Sequence, residues 1–222
     1  MTSLLTTDKS NCGTKIEEEY FMKNLPQSKD KVLLLACGAL ASEILEIMKC
    51  NQLTHLHLHC LPANLHLYPA QIPQAVEQAV LKYRQEFKDI FVVYADCGTG
   101  GLLAKKCEEL GVQMVPGPHC YAFYEGLDKF AKKAEEEITS FYLTDFLVRQ
   151  FEAFVIKPLG LDRHPQLKDD YFGNYTKLVY LAQTQDSNLD YKANEYAKYL
   201  GLEYERRFTG YGDLAINIAS IN

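Results

Sequence analysis

The sequence predicts an α/β fold: a mostly parallel, doubly wound, Rossmann-like sheet of about six strands with a helical insertion. Three observations carry that expectation. The runs Val32-Leu-Leu-Leu-Ala36 and Ile90-Phe-Val-Val-Tyr-Ala95 are apolar without alternation, as strands buried on both faces are. Each run ends in a glycine turn, Cys37-Gly38 in one case and Asp96-Cys97-Gly98-Thr99-Gly100-Gly101 in the other. A stretch of helical period then follows each turn, giving the β-α alternation of a parallel sheet.

Taken in order, residues 1–30 are polar and charged, with Glu17-Glu-Glu19 and no period. They are expected to form an N-terminal tail, leaving 31–222 as a single α/β domain. Val32 to Ala36 is the first strand, and Ala39 to Met48 a helix with Ile44, Leu45 and Met48 on one side. Leu53 to His59 alternates cleanly and reads as a strand near the sheet edge. Its histidines His55, His57 and His59 share a face but stand about 7 Å apart along a flat strand, too far to share one zinc without distortion. A solvated polar face is the plainer expectation for them. Pro69 to Phe87 is a helix with Ile72, Ala75, Val76, Ala79, Val80 and Tyr83 on one side, and Pro73 fits its first turn. After the central strand, Leu102 to Leu110 is a helix closed by Gly111. Val112 to Val115 is a short strand ended by Pro116-Gly-Pro-His-Cys120, and Tyr121 to Ala134 a helix. The alternation then breaks. Ile138 to Ile156 reads as a long aromatic helix stopped at Pro158, and with a short helix from Gln166 to Phe172 it makes the insertion, about 136–175. Lys177 to Ala182 returns to strand, Asn188 to Leu200 is a helix stopped by Gly201, and Leu202 to Phe208 is the last strand. Gly210-Tyr-Gly-Asp213 opens a terminal helix.

The formal charge of −6 argues against a general nucleic-acid binder, which needs a concentrated basic surface. No apolar run approaches the ~20 residues of a membrane span, and the opening residues are too few and too polar for a secretory signal. A soluble cytoplasmic protein acting on a small molecule is the resulting expectation. Seven cysteines is an odd number, so at least one is free. In such a chain free thiols are core residues, metal ligands or catalytic groups. Cys12, Cys50 and Cys107 read as small hydrophobes. The 15 tyrosines and 11 phenylalanines suit a core or a homo-oligomer interface equally.

The chemistry concentrates at strand ends. In parallel sheets the carboxyl ends of the strands share one edge, so Cys37, Cys97 and Cys120 are candidates for a tri-thiolate metal centre. Neighbouring strands about 4.8 Å apart allow three such residues to close on one ion or cluster. Three protein ligands leave a position open, which suits catalytic zinc or an iron–sulfur cluster with one exchangeable iron. His119 and Asp96 stand beside two of the thiols and are the candidate catalytic acid, base or orienting groups. Two other readings use the same residues. Cys97 is a metal-free nucleophile beside His119 in one. In the other, Gly98, Thr99, Gly100 and Gly101 form an anion cradle for phosphate or carboxylate. The turn lacks both the dinucleotide glycine spacing and a following Lys-Ser/Thr. His66, at the exit of the second strand, is a candidate substrate contact. So are Arg163 and His164 from the insertion and Tyr211 before the last helix. Asp145 and Arg149, four apart, read as an ion pair fastening the insertion.

Several longer motifs give the chain a resemblance. Ala36-Cys37-Gly38-Ala39, Leu61-Pro62-Ala63-x-Leu65-His66, Asp96-Cys97-Gly98-Thr99-Gly100-Gly101 and His119-Cys120-Tyr121-x-Phe123-Tyr124-x-Gly126 resemble an uncharacterised prokaryotic domain-of-unknown-function family. Phe141-Tyr142-Leu143-Thr144-Asp145-Phe146-Leu147, Leu159-Gly160-Leu161-Asp162-Arg163-His164-Pro165 and Thr209-Gly210-Tyr211-Gly212 extend the resemblance across about 31–215. It implies a link to corrinoid-dependent methyl transfer, and so to one-carbon metabolism with a corrinoid or methyltransferase protein as partner. The Asp-x-His-x-x-Gly motif of corrinoid carriers is missing, so cobalamin binding in that manner is not expected. The leading expectation is a metal–thiolate enzyme, with methyl transfer its candidate reaction. The alternative is a non-catalytic metal- or small-ligand-binding accessory protein for a corrinoid or metal system.

Overall fold

The computed structural model describes residues 31–221; the expected polar tail, with Cys12, lies outside the described residues. Strands β1 (Val32–Cys37), β2 (Leu56–Leu61), β3 (Asp89–Val93) and β4 (Gln113–Met114) form a parallel sheet in the order β2-β1-β3-β4. Every residue of β1 is buried, which explains its unbroken apolar run: it has a strand on each edge, with Leu34 opposite both Leu58 and Phe91. Helices α1 (Ala41–Cys50), α2 (Ile72–Tyr83) and α3 (Leu102–Leu110) make the crossovers. The chain leaves this sheet through α4 (Ala122–Glu125) and α5 (Leu127–Lys133). The helix expected over 121–134 is two helices because Gly126 takes φ +90°, and the new N-terminus is capped from afar: Leu127 N–H donates to Asp213 Oδ2 at 2.8 Å.

A second parallel sheet follows, β5 (Ser140–Thr144), β6 (Lys177–Ala182) and β7 (Glu203–Phe208), in the order β5-β6-β7. With α6 (Asp145–Arg149), α7 (Lys168–Phe172) and α8 (Ser187–Leu200) it builds its own core around Leu143, Phe151, Leu178, Tyr180, Leu189 and Ala193. The last helix, α9 (Gly212–Ala219), crosses back and gives Leu214 and Ile218 to the first core, where they join Phe123 and Tyr124.

Two expectations are corrected here. The described strands do not form one sheet of about six; there are seven, split four and three. The added strand is β5, which lies inside the segment read as one long helix. Phe141-Tyr-Leu143 is too short an apolar run to reveal its period. The helix begins only at α6, where Thr144 is the N-cap and its Oγ1 accepts from Leu147 N at 3.4 Å. Next to it Asp145, fully buried, ties β5 to the end of β6. Its carboxylate accepts from Tyr180 Oη at 2.7 Å, Gln183 N at 3.0 Å and Thr184 N at 3.1 Å, and Arg149 stands 3.7 Å away. The region about 136–175 therefore carries an edge strand, α6, a π-helical stretch (Glu152–Ile156) and α7 rather than helix alone. Among the described residues no helix is long and apolar enough to cross a membrane.

The Gly210-Tyr-Gly-Asp213 motif has a packing cause. Gly212 has φ +47°, and a Cβ there would lie 2.2 Å from the Tyr124 carbonyl oxygen. The first turn of α9 rests directly on the α4 backbone, and only glycine permits that approach. Gly212→Ala is expected to destabilise the fold by about 1–3 kcal/mol, from the strained φ together with the clash. Chemical denaturation followed by far-UV circular dichroism checks this, and an unchanged midpoint would show that α9 is not seated as described.

A candidate metal centre at the switch point of the first sheet

In the order β2-β1-β3-β4 the chain winds outward in opposite directions from β1 and β3. Open α/β sheets bind ligands beyond the carboxyl ends of such a pair. Cys37 ends β1, the turn 96–101 follows β3, and His119-Cys120 follows β4. Two backbone hydrogen bonds join the last two segments: Asp96 N–H to Gly117 O and Cys97 N–H to Pro118 O, both 2.9 Å. This pairing sets Cys97 Sγ 3.0 Å from Cys120 Sγ. Cys97 itself takes φ +47°, a left-handed conformation rare for a residue with a side chain and a pointer to function.

The third member comes from the loop after β2. A Cβ on Gly38 would lie 2.9 Å from Leu61 O, and one on Gly98 would meet Pro69 Cγ at 3.4 Å. The loop from Leu61 to Pro69 is therefore pressed against the turns after both β1 and β3. His66 is carried on its 3₁₀ turn (Ala63–Leu67). A nitrogen of His66 and the sulfurs of Cys97 and Cys120 all lie within 4.8 Å of one another, so the three form a group that could hold a metal ion. Tetrahedral zinc with Zn–S bonds of about 2.3 Å needs sulfurs ~3.8 Å apart, so a small spreading of the pair suffices.

The electrostatics suit ligation. In the Cys97–Cys120 contact either thiol can donate; that bond holds the Cys97 thiol below its ordinary pKa and, with burial, raises Cys120 well above it. One sulfur is thus biased to thiolate while the other keeps its proton until a cation displaces it. Burial, and then the nearby His119, lower the pKa of His66, which keeps its imidazole neutral as a ligand must be.

Cys37 stands outside this group. It is 1% exposed and accepts from Ala39 N at 3.4 Å as the cap of the following turn. Burial pushes its thiol up to about 12. Tyr94 is fully buried; burial first, and then the nearby Cys37, Cys120 and Cys60, raise its pKa well above the ordinary value, and its hydroxyl makes no hydrogen bond of ordinary geometry among the described residues. Sequence reasoning missed Tyr94. The signal available was its position two residues before Asp96, at the exit of the central strand.

The other sequence candidates are placed as follows. Asp96 turns its carboxylate into its own loop, accepting from Thr99 Oγ1 at 2.7 Å, Gly101 N at 2.7 Å and Gly100 N at 3.0 Å. The Thr99 bond leads in depressing its pKa. In this conformation the Gly100 and Gly101 N–H groups are used within the turn rather than offered to an anion. His119 is half-buried, with a pKa lowered by burial, and stacks on Tyr121 at 4.9 Å, which in turn stacks on Tyr142 of β5 at 5.3 Å. It borders a pocket of about 780 Å³ shared with Tyr121, Phe130, Tyr142 and Tyr175. Arg163 and His164 are exposed in the turn after the π-helical stretch, Arg163 lying 3.7 Å from Asp162, and neither lines that pocket. Tyr211 packs against the first core and feels Glu43 and Glu46 of α1. His55, before β2, and His57 and His59 in it are half-buried rather than a freely solvated face: His57 lies 5.7 Å from the Phe87 ring, His59 4.9 Å from Tyr83, and His55 Nε2 3.0 Å from Ile221 O.

One family model matches, over residues 60–217, and its description is Protein of unknown function (DUF1638). No curated protein and no solved structure matches the chain.

Proposed function

Because the chain belongs to that family, whose description carries no activity, we propose from its own residues that it is a metal-dependent enzyme built on His66, Cys97 and Cys120. The observation that carries this reading is the convergence of one imidazole and two thiols, from three separate strand exits, to within 4.8 Å. Two thiolates and a histidine are a known catalytic ligand set for zinc, with the fourth position left to water or substrate. The close spacing favours a single ion over an iron–sulfur cluster, whose ligands must surround several metal atoms. Bound there, zinc supplies a Lewis acid with one exchangeable position.

The remaining groups then have plain tasks. His119, between the ligands and the pocket and kept neutral by its lowered pKa, is the group suited to accept a proton. The aromatic pocket of about 780 Å³ holds the bulk of a small substrate, and this room favours an enzyme over a metal carrier. Methyl transfer to a substrate thiol at the open position is the reaction class we propose: the thiol would lose its proton, its sulfur would bond the methyl carbon of an electrophilic methyl donor, and the donor's leaving group would depart with the electron pair of the broken bond, while two thiolate ligands would keep the ion soft and thiol-seeking.

Protein purified under reducing, anaerobic conditions is expected to be colourless and to hold a single zinc per chain. Replacement by Co(II) should give sulfur-to-cobalt charge-transfer bands and the intense visible bands of a tetrahedral site, and a small exogenous thiol should shift the latter. A brown cluster, or metal that passes through desalting unbound, would overturn the proposal.

A further inference from the structure

We infer that Cys97 and Cys120 are also a redox-active dithiol, whose closure to a disulfide by a low-molecular-weight disulfide expels the metal. The two sulfurs stand 3.0 Å apart, well inside van der Waals contact for two sulfur atoms and closer than the ~3.8 Å a shared tetrahedral ion requires. The paired backbone segments 96–97 and 117–118 hold them there, so joining them asks for little backbone movement. Each of the neighbouring groups has another role. Cys37 caps its own turn, and His66 has no sulfur to offer. Cys97 is 7% exposed and Cys120 5%, which leaves an opening for a small oxidant but not for a protein surface.

The step balances with a disulfide RSSR as oxidant. The Cys97 thiolate attacks one sulfur of RSSR, forming Cys97–S–SR and releasing RS⁻. Cys120 gives up its proton and attacks Cys97 Sγ, forming the Cys97–Cys120 disulfide and releasing the second RS⁻. Two protein thiols are oxidised and one RSSR is reduced to two thiols. A disulfide sulfur is no longer an anionic ligand, so only His66 is left to the ion, which leaves. The disulfide stands on the sulfur geometry alone; its coupling to metal release rests on the proposed centre.

Oxidised glutathione is the probe. Titrated into chelator-stripped protein, it is expected to lower the thiol count from the seven of the sequence to five, and peptide mapping should link Cys97 to Cys120. In zinc-loaded protein, zinc should appear in solution in step with the two thiols lost. Cys37→Ser should lose the same two thiols. His66→Ala should lose them while holding no zinc, and Cys97→Ser should lose the two-thiol step. An unchanged thiol count, a linkage between other cysteines, or an unaltered two-thiol step in Cys97→Ser overturns the inference. Zinc binding without disulfide formation sinks this inference alone; disulfide formation without any zinc binding sinks the metal reading and leaves the dithiol standing.

Discussion

Cys37→Ser is expected to keep its zinc, whereas Cys120→Ser and His66→Ala are expected to lose it. All three residues lie near one strand edge, and sequence position alone would rank Cys37 with the ligands. The difference lies in where each side chain turns. Cys37 Sγ is buried and engaged by Ala39 N as the cap of its own turn, and it stands outside the group of converging ligand atoms. Cys120 is within reach of both other ligand atoms. Loss of an outer-shell partner alone costs ~10–100-fold in metal affinity, so loss of a direct ligand should exceed about 100-fold. Binding also appears as stability: free zinc at about 1,000 times its Kd adds ~4 kcal/mol. Melting with and without zinc should show a clear upward shift for the wild type and Cys37→Ser, and none for Cys97→Ser, Cys120→Ser or His66→Ala. A shift lost in Cys37→Ser and kept in His66→Ala would move the centre back to the three cysteines, and one kept in Cys120→Ser would rule out both arrangements.

That contrast shows what the sequence could and could not convey. Strand ends are local events: an apolar run followed by Cys-Gly or Asp-Cys-Gly marks the end of a buried strand, and β1 and β3 were legible for that reason. The meeting of Cys97 with Cys120 follows from parallel topology, and so was also within reach. The part played by His66 was not. It depends on how closely the loop after β2 lies on two other turns, a consequence of the missing Cβ atoms of Gly38 and Gly98 that no period in the sequence encodes. The glycine turn invited an anion-cradle reading because nothing local says that Asp96 will take up its N–H groups. β5 was hidden by a different ambiguity: five residues with an aromatic centre fit helix and strand alike, and its identity is decided by pairing with β6, 37 residues on. Arg163 and His164, candidate substrate contacts by sequence, are exposed, whereas Leu161 beside them is buried, at 2% exposure, and anchors the turn in the second core.

Arg207→Met is expected to destabilise the protein by about 3–5 kcal/mol, the range for leaving buried charges unpartnered. Arg207 projects from β7 of the second sheet and meets carboxylates from three places. Its Nη1 lies 3.1 Å from Glu125 Oε1 of α4, its Nη2 2.5 Å from Glu137 Oε1 in the link between α5 and β5, and its Nε 2.5 Å from Glu205 Oε1 on its own strand. The side chain of Glu125 is fully buried and that of Glu137 11% exposed. Methionine fills much the same volume, so the loss isolates charge from packing. Lys133 Nζ, 3.0 Å from Glu125, offsets part of it. The same pin sets an acid limit. Its hydrogen bond to Arg207 is the largest cause holding Glu137 down at about 2. Because the folded value lies below the unfolded one, the stabilisation is complete above about pH 5 and drains away as pH falls towards 2. The gap between wild type and Arg207→Met in urea denaturation should therefore be widest at neutral pH and narrow steadily below about pH 5. A gap that stays constant with pH would mean that Arg207 acts through its alkyl stem, and that the two sheets are held together by apolar contact such as the Tyr121–Tyr142 stack rather than by charge.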